Sequence, residues 1–267
     1  YDIAQKYFID GGNNRVILAT DGDLNVGLSS ESELTRLIEE KRESGVFLSV
    51  LGFGTGNYKD NRLEALADYG NGNYSYIDSE KEAKKVLVDE MSGTLFTVAK
   101  DVKFQLEFNP ANVKGYRLIG YENRVMAAED FNDDTKDAGE IGAGHSVTVL
   151  YEIVPADSKM ELGESKLKYA SDSEGVMGDE LLTVNIRYKE PEGSESKLLT
   201  YPVNKSLYSD KMSADMNFAS CVAEFGMLLR NSRYIGDVTY KDVSAQLSKY
   251  DYSDDDYKDE FIYLVNT

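Results

Sequence analysis

Two short, unbroken apolar runs limit what this chain can fold into more than any other feature: RVILAT at residues 15–20 and VFLSVLGFG at residues 46–54. Each is rich in β-branched residues and shows no polar alternation, as a strand covered on both faces requires. Between them, Ser30 and Glu33 have capping-box spacing, Leu34, Leu37 and Ile38 share one helical face, and Gly45 ends the pattern. Leu63, Leu66 and Ala67 mark a short helix that stops at Gly70, and NYSYI at 73–77 reads as a third strand. Ser79 with Glu82 then caps a helix carrying Ala83, Val86 and Leu87. Ahead of all this, YDIAQKYFI places Ile3, Tyr7 and Phe8 on one helical face, with Gly11 and Gly12 as the stop. The βαβαβα order predicts a parallel sheet with right-handed crossovers.

Near Lys100 the period changes from helical to two. VKFQLEF alternates Val102, Phe104, Leu106 and Phe108; SVTVLYEI alternates Val147, Val149, Tyr151 and Ile153; LTVNIRY alternates Leu182, Val184, Ile186 and Tyr188. Further strands are expected near Tyr116 to Tyr121, Lys166 to Ala170 and Lys197 to Val203, enough for an antiparallel β-sandwich. The acidic, glycine-containing stretch Glu129 to Gly144 reads as a long exposed connection. After Pro202, Phe218, Cys221, Val222, Phe225 and Leu229 recur at helical spacing, and a last helix carries Tyr257, Phe261, Leu264 and Val265. The predicted organisation is an α/β segment over 1–97 with a partial doubly wound parallel sheet, a β-sandwich over 98–205 and a helical segment over 206–267.

Composition narrows the partners. With 48 acidic against 29 basic side chains, the formal charge of −19 repels phosphate backbones and anionic membrane surfaces. No apolar run reaches the roughly 20 residues a membrane helix needs. Cys221 is the only cysteine, so an internal disulfide and a thiolate metal site are excluded. The chain opens with Tyr1 inside a helical pattern that has no cap before it, and the expectation is a piece of a longer protein.

In open parallel sheets, ligands bind at the carboxyl ends of the strands. RVILAT runs directly into Asp21, Gly22 and Asp23 there. Asp and Gly are also ordinary turn residues, so a plain turn is the competing local reading. The wider pattern, RVILATDGD, a capped helix, then VFLSVLGFGTGNYKDNRLEALADYGNGNYSYI, resembles the second half of a von Willebrand factor type A domain. Thr20, Asp21 and Gly22 match the third loop of that family's metal-ion-dependent adhesion site. Gly52, Gly54, Leu63, Leu66, Ala67, Gly70 and Gly72 match its later strand, turn and short helix. The β-rich segment and FASCVAEFGMLLRNSRYIGD resemble the carboxyl-terminal region of bacterial YfbK-like proteins that carry such a domain.

The resemblance implies Asp21 alone as a metal-site residue for Mg2+ in the intact parent; Asp23, two residues on, is read as supporting that site from outside or as solvated. The family's first loop, Asp-x-Ser-x-Ser after an apolar strand, does not occur in this sequence, and its threonine loop would precede Tyr1, so the site is expected to be incomplete and without bound metal. Magnesium prefers six oxygens and releases water reluctantly, and one loop cannot supply that number. The strand bearing the first loop would lie beside residues 15–20. The edge from Val16 to Ala19 is therefore expected to pair with the missing half or with another chain, because an open apolar edge invites pairing.

Several other motifs compete. Asp21-Gly-Asp23 also resembles the start of a haloacid-dehalogenase-type phosphohydrolase, although Asn25 departs from that pattern; GDVTYKD at 236–242 imitates its later metal motif. DGDLNVG hints at a calcium loop with Gly27 one place late, and GFGTGN at a dinucleotide turn with Asn57 in place of the third glycine. His145, the single histidine, is expected at a surface or edge, and DYSDDDYKDE is expected to be a solvated helix start. The reading that follows is a non-catalytic protein-binding module of a bacterial envelope protein, exported or lipid-anchored by resemblance. It would grip an acidic side chain through the metal. A phosphohydrolase using Asp21 and Asp23 and a purely structural envelope component are the alternatives.

Overall fold

The computed structural model describes residues 1–21, 31–54, 60–91, 93, 96–121, 124–162, 175, 178–191 and 193–267. The parallel layer is built from α1 (Asp2–Lys6), β1 (Arg15–Thr20), α2 (Glu31–Glu43), β2 (Phe47–Phe53), α3 (Asp60–Tyr69), β3 (Tyr74–Ile77) and α4 (Glu80–Lys84), which continues into a π-helical turn at Lys85–Asp89. The sheet order is β1-β2-β3, both pairings parallel, with Thr20 opposite Gly52 and Phe53 opposite Ile77.

Successive strand residues point to opposite faces, and β2 uses both. Leu48 and Val50 pack with Ile38 of α2 and with Leu63, Leu66 and Ala67 of α3. Leu51 and Ile77 meet Val86 and Ala83 from the α4 side. Burying each of these aliphatic side chains stabilises the fold by about 1.5–3 kcal/mol for the larger ones. The turn after α3 comes so close to β2 that a Cβ on Gly72 would lie 1.7 Å from the Leu48 carbonyl oxygen. Ser79 caps α4 as expected, accepting from the Glu82 N–H at 3.1 Å.

Two sequence expectations need correction in this layer. β1 is covered on one face only: Val16 and Leu18 join the α2/α3 core, while Ile17 on the other face is 45% exposed. The stripe of Ile3, Tyr7 and Phe8 is not a core face either, since all three are exposed, Phe8 least so at 41%. Ser30, the expected cap of α2, lies outside the described residues.

The β-rich part contains β4 (Thr97–Phe108), β5 (Val113–Ile119), β6 (Gly139–Gly142), β7 (Leu150–Pro155), β8 (Glu180–Lys189) and β9 (Lys197–Asn204). Among the described residues these form a four-stranded sheet, β6-β4-β8-β9, and a two-stranded antiparallel ribbon, β5-β7. β4 and β6 are antiparallel. β4 and β8 also run in opposite directions, for Asn109 N–H donates to Leu181 O just past one end while Asp101 meets Lys189 at the other. The architecture is thus mixed α/β: a parallel sheet, antiparallel sheets and terminal helices. The strand expected near Lys166 to Ala170 lies outside the described residues.

The stretch Glu129 to Gly144 is not a plain exposed connection. It holds a 3-10 turn at Ala128–Asn132, buried Phe131 and strand β6. Its anchor is Lys103, 4% exposed, whose ammonium donates to the carbonyls of Asp130 at 3.1 Å and Asp133 at 2.5 Å. An acidic composition hid a segment held by backbone carbonyls and one apolar ring.

The last part comprises α5 (Ala214–Leu229), α6 (Tyr240–Leu247) and α7 (Asp256–Val265) around Cys221, Val243, Leu247, Tyr252 and Val265. Phe218 and Phe225 add edge-on ring contacts to Phe261. Val222 and Leu229 belong to the apolar stripe but are 43% and 62% exposed, so the stripe is wider than the buried face. Two compact units emerge: residues 1–105, 127–146 and 185–199 form one, and residues 106–126, 147–184 and 200–267 the other. They interleave in sequence because β4, β8 and β9 each contribute residues to both.

Candidate functional site

The parallel layer places Asp21 immediately after β1, beside the carboxyl end of β2. Continuing the strand past Thr20 is what carries this carboxylate to the rim. Asp21 is exposed, and a Cβ built on Gly54, whose φ is +103°, would lie 3.8 Å from the Asp21 Cβ. A glycine permits that backbone turn without steric penalty. The Tyr76 hydroxyl of β3 donates to the Gly54 carbonyl at 2.5 Å and fixes the turn from the other side. Asp23, Asn25, Gly27 and Asn57 lie outside the described residues.

Asp21 does not assemble a cage from the described part of the chain. Among the described residues, no three ligating side chains converge on it. A magnesium ion asks for six oxygens, so these residues alone do not fit the ion. Elsewhere, the motif that imitated a phosphohydrolase metal loop has a structural use. Asp242 accepts from the Thr239 N–H at 2.9 Å and from its hydroxyl at 2.6 Å, closing the capping box of α6. In the acidic tail, Asp255 caps α7 by accepting from Tyr257 and Lys258 N–H. His145 is exposed, its ring lying over Gly93 beside an open cleft lined also by Asp89, Glu90 and Ser146.

The described residues do bring three carboxylates together where composition gave no hint: Asp101, Asp137 and Glu140 place oxygens within 4.8 Å of one another. Asp101 occupies a bulge in β4 with φ of +51° and accepts from the Lys189 ammonium at 2.6 Å and the Ala138 N–H at 3.3 Å. Asp137 accepts from the Arg42 guanidinium at 2.6 Å. Arg15, whose guanidinium donates to buried Ser49 at 2.7 Å, faces Glu140. With Lys100 also acting on Glu140, four cations oppose three acids, and the cluster is a charge network rather than an open metal cage. Burial above all, then the charges of Asp101 and Asp137, pushes the Glu140 carboxyl up to about 8. Burial likewise raises Asp137, against the pull of Arg42. The available signal was AGEIGAG at 138–144, where Ile141 among small residues has strand character that the surrounding acids concealed.

A mixed α/β architecture with an acidic residue at the rim of a parallel layer, followed by antiparallel sheets and terminal helices, defines the class. The family described as "Uncharacterized protein YfbK, C-terminal" matches residues 93–267, and the chain belongs to that family. It is 44% identical over 270 residues to the "Uncharacterized protein YfbK" of Escherichia coli (strain K12), covering 99% of this chain and 46% of that protein. The chain thus spans about half the length of this curated relative. Among solved structures, the human COPII-coat protein Sec24c superposes with a TM-score of 0.38 at 13% identity, over 88% of this chain and 32% of that one, which is too slight for a structural inference.

Proposed function

We propose that the chain contributes the second half of a von Willebrand factor type A-like domain to a non-catalytic, metal-dependent protein-binding module of a bacterial cell envelope. One observation carries the reading. The parallel layer ends at β1, with Asp21 at its rim, an exposed Ile17 on its uncovered face and, among the described residues, no strand on its outer edge. A strand docking along Val16 to Ala19 would cover Ile17 and bring further oxygens toward Asp21, as a Mg2+ site requires. The sandwich arrangement of the β-rich part belongs to the same proposal, supported by the Phe108 ring stacking on Tyr116 at 4.0 Å between β4 and the β5-β7 ribbon. An ion at the rim would let so acidic a protein recognise an acidic partner, since the cation bridges charges that otherwise repel.

Isothermal titration with Mg2+ tests the reading on this chain and on a version extended by its own upstream residues. The extended protein should bind one ion at least tenfold more tightly, and Asp21→Asn should remove that gain. Equal affinities with and without Asp21→Asn would defeat it. Magnesium-dependent turnover of a phosphate ester, lost in Asp21→Asn, would replace it with the phosphohydrolase reading.

A further inference from the structure

We propose that Asp101, Asp137 and Glu140 form a proton-held clasp that fastens β6 to the edge of β4 near neutral pH and lets it go as the solution becomes alkaline. The inference is independent of the metal reading. β6 is held weakly by its ladder: it pairs with β4 at only Thr97↔Gly142, Ala99↔Ile141 and Val102↔Gly139, with a register shift in each interval. The Ala143 N–H adds one bond to the Phe96 carbonyl at 2.7 Å, and side chains at the second interval supply the rest. There, the oxygens of Asp101, Asp137 and Glu140 lie within 4.8 Å of one another, so ionising all three sets like charges against each other. Asp101 accepts from Lys189 and from the Ala138 N–H, and Asp137 Oδ2 accepts from Arg42, so each of these two carboxylates has a cation to meet its charge. Glu140 on β6 has its Oε1 buried without a hydrogen-bond partner. A neutral carboxyl tolerates that placement far better than a carboxylate does.

The groups facing this cluster come from four elements. β4 supplies Asp101 and Lys100, β1 supplies Arg15, α2 supplies Arg42 and β8 supplies Lys189. Lys100 and Arg15 are the cations acting on Glu140, but Arg15 is tied to Ser49, and its Nε is also buried and unpaired. Ionising Glu140 therefore adds a third negative charge beside Asp101 and Asp137, with the Asp101 backbone N–H and the charge of Lys100 too little to offset burial. The sign follows. Glu140 is raised from 4.5 to about 8, so the folded chain holds an extra proton between those values. The stabilisation is complete below 4.5 and is lost as the pH rises through about 8. Opening would free the stretch that ends at His145 above Gly93.

Carbon-13 carboxyl NMR of the whole chain reads the proton directly, and amide exchange, corrected for its intrinsic pH dependence, reads the strand. Glu140 should titrate near 8, and from about pH 6.5 to about pH 9 the protection of 139–142 should fall at least tenfold more than that of β2. In Glu140→Gln, a neutral isostere, this differential loss should vanish. Glu140 titrating near 4.5, β6 and β2 responding alike, or Glu140→Gln losing protection as the wild type does would each overturn the clasp. The wild-type titration decides even if the variant fails to fold.

Discussion

Replacing Lys189 with methionine removes one charge from the network and keeps most of the side-chain volume. The Lys189 side chain is 10% exposed and that of Asp101 15%. Its ammonium donates to Asp101 Oδ2 at 2.6 Å and to the Asp134 carbonyl at 2.7 Å. Breaking a buried pair from one side costs about 3–5 kcal/mol, because the other charge is left without its counter-ion. Asp101 keeps some access to water and its bond from Ala138 N–H, which places the expected loss for Lys189→Met near the lower bound, about 3 kcal/mol. Converting Asp101 to Asn in the same chain removes the stranded charge. Asp101→Asn/Lys189→Met should therefore be less destabilised than the sum of the two single variants by about 2 kcal/mol. Urea unfolding followed by tyrosine fluorescence and circular dichroism measures all three. If Lys189→Met costs under about 1 kcal/mol, or if the single losses simply add, the ion pair is not the strut described here.

Three further outcomes test other parts of the fold. Gly72→Ala would drive a methyl group into the Leu48 carbonyl and should cost about 3 kcal/mol as backbone is forced apart, seen as a lower calorimetric midpoint; an unchanged midpoint would refute the close approach. Thr239→Ala should cost about 1 kcal/mol by removing one half of the α6 capping box, with faster amide exchange concentrated in the first turn of α6. Cys221 is fully buried, and burial pushes its thiol up to about 11. It should stay unmodified by a thiol reagent near pH 8 until the chain unfolds, and rapid labelling of the native protein would contradict its place in the helical core.

Local patterns made the elements of the parallel layer legible. Leu63, Leu66 and Ala67 lie where helical spacing put them, and Gly70 ends their helix, because a side chain's facing follows from the 3.6-residue turn without help from distant residues. The same logic located β4, β7 and β8 from their period of two. It misjudged Glu129 to Gly144, where acids outnumber apolar residues and the hold comes from Lys103, Arg42 and Lys189, remote in sequence and invisible to any local window. It also misjudged β1, since an apolar run reports what could be covered rather than what is.

The amino-acid sequence alone determined the order of helices and strands in the parallel layer and the position of Asp21 at a strand end, which depend on residues within a turn or two of one another, and the parallel sense of that sheet, which follows from the helical crossovers joining its strands. Only tertiary structure decided that Ile17 faces outward, that Lys103 anchors the carbonyls of Asp130 and Asp133, and that Asp101, Asp137 and Glu140 meet cations from β1, α2 and β8. Those outcomes depend on which distant charges and backbones come within a few ångströms, a distance that chain folding sets and linear spacing does not.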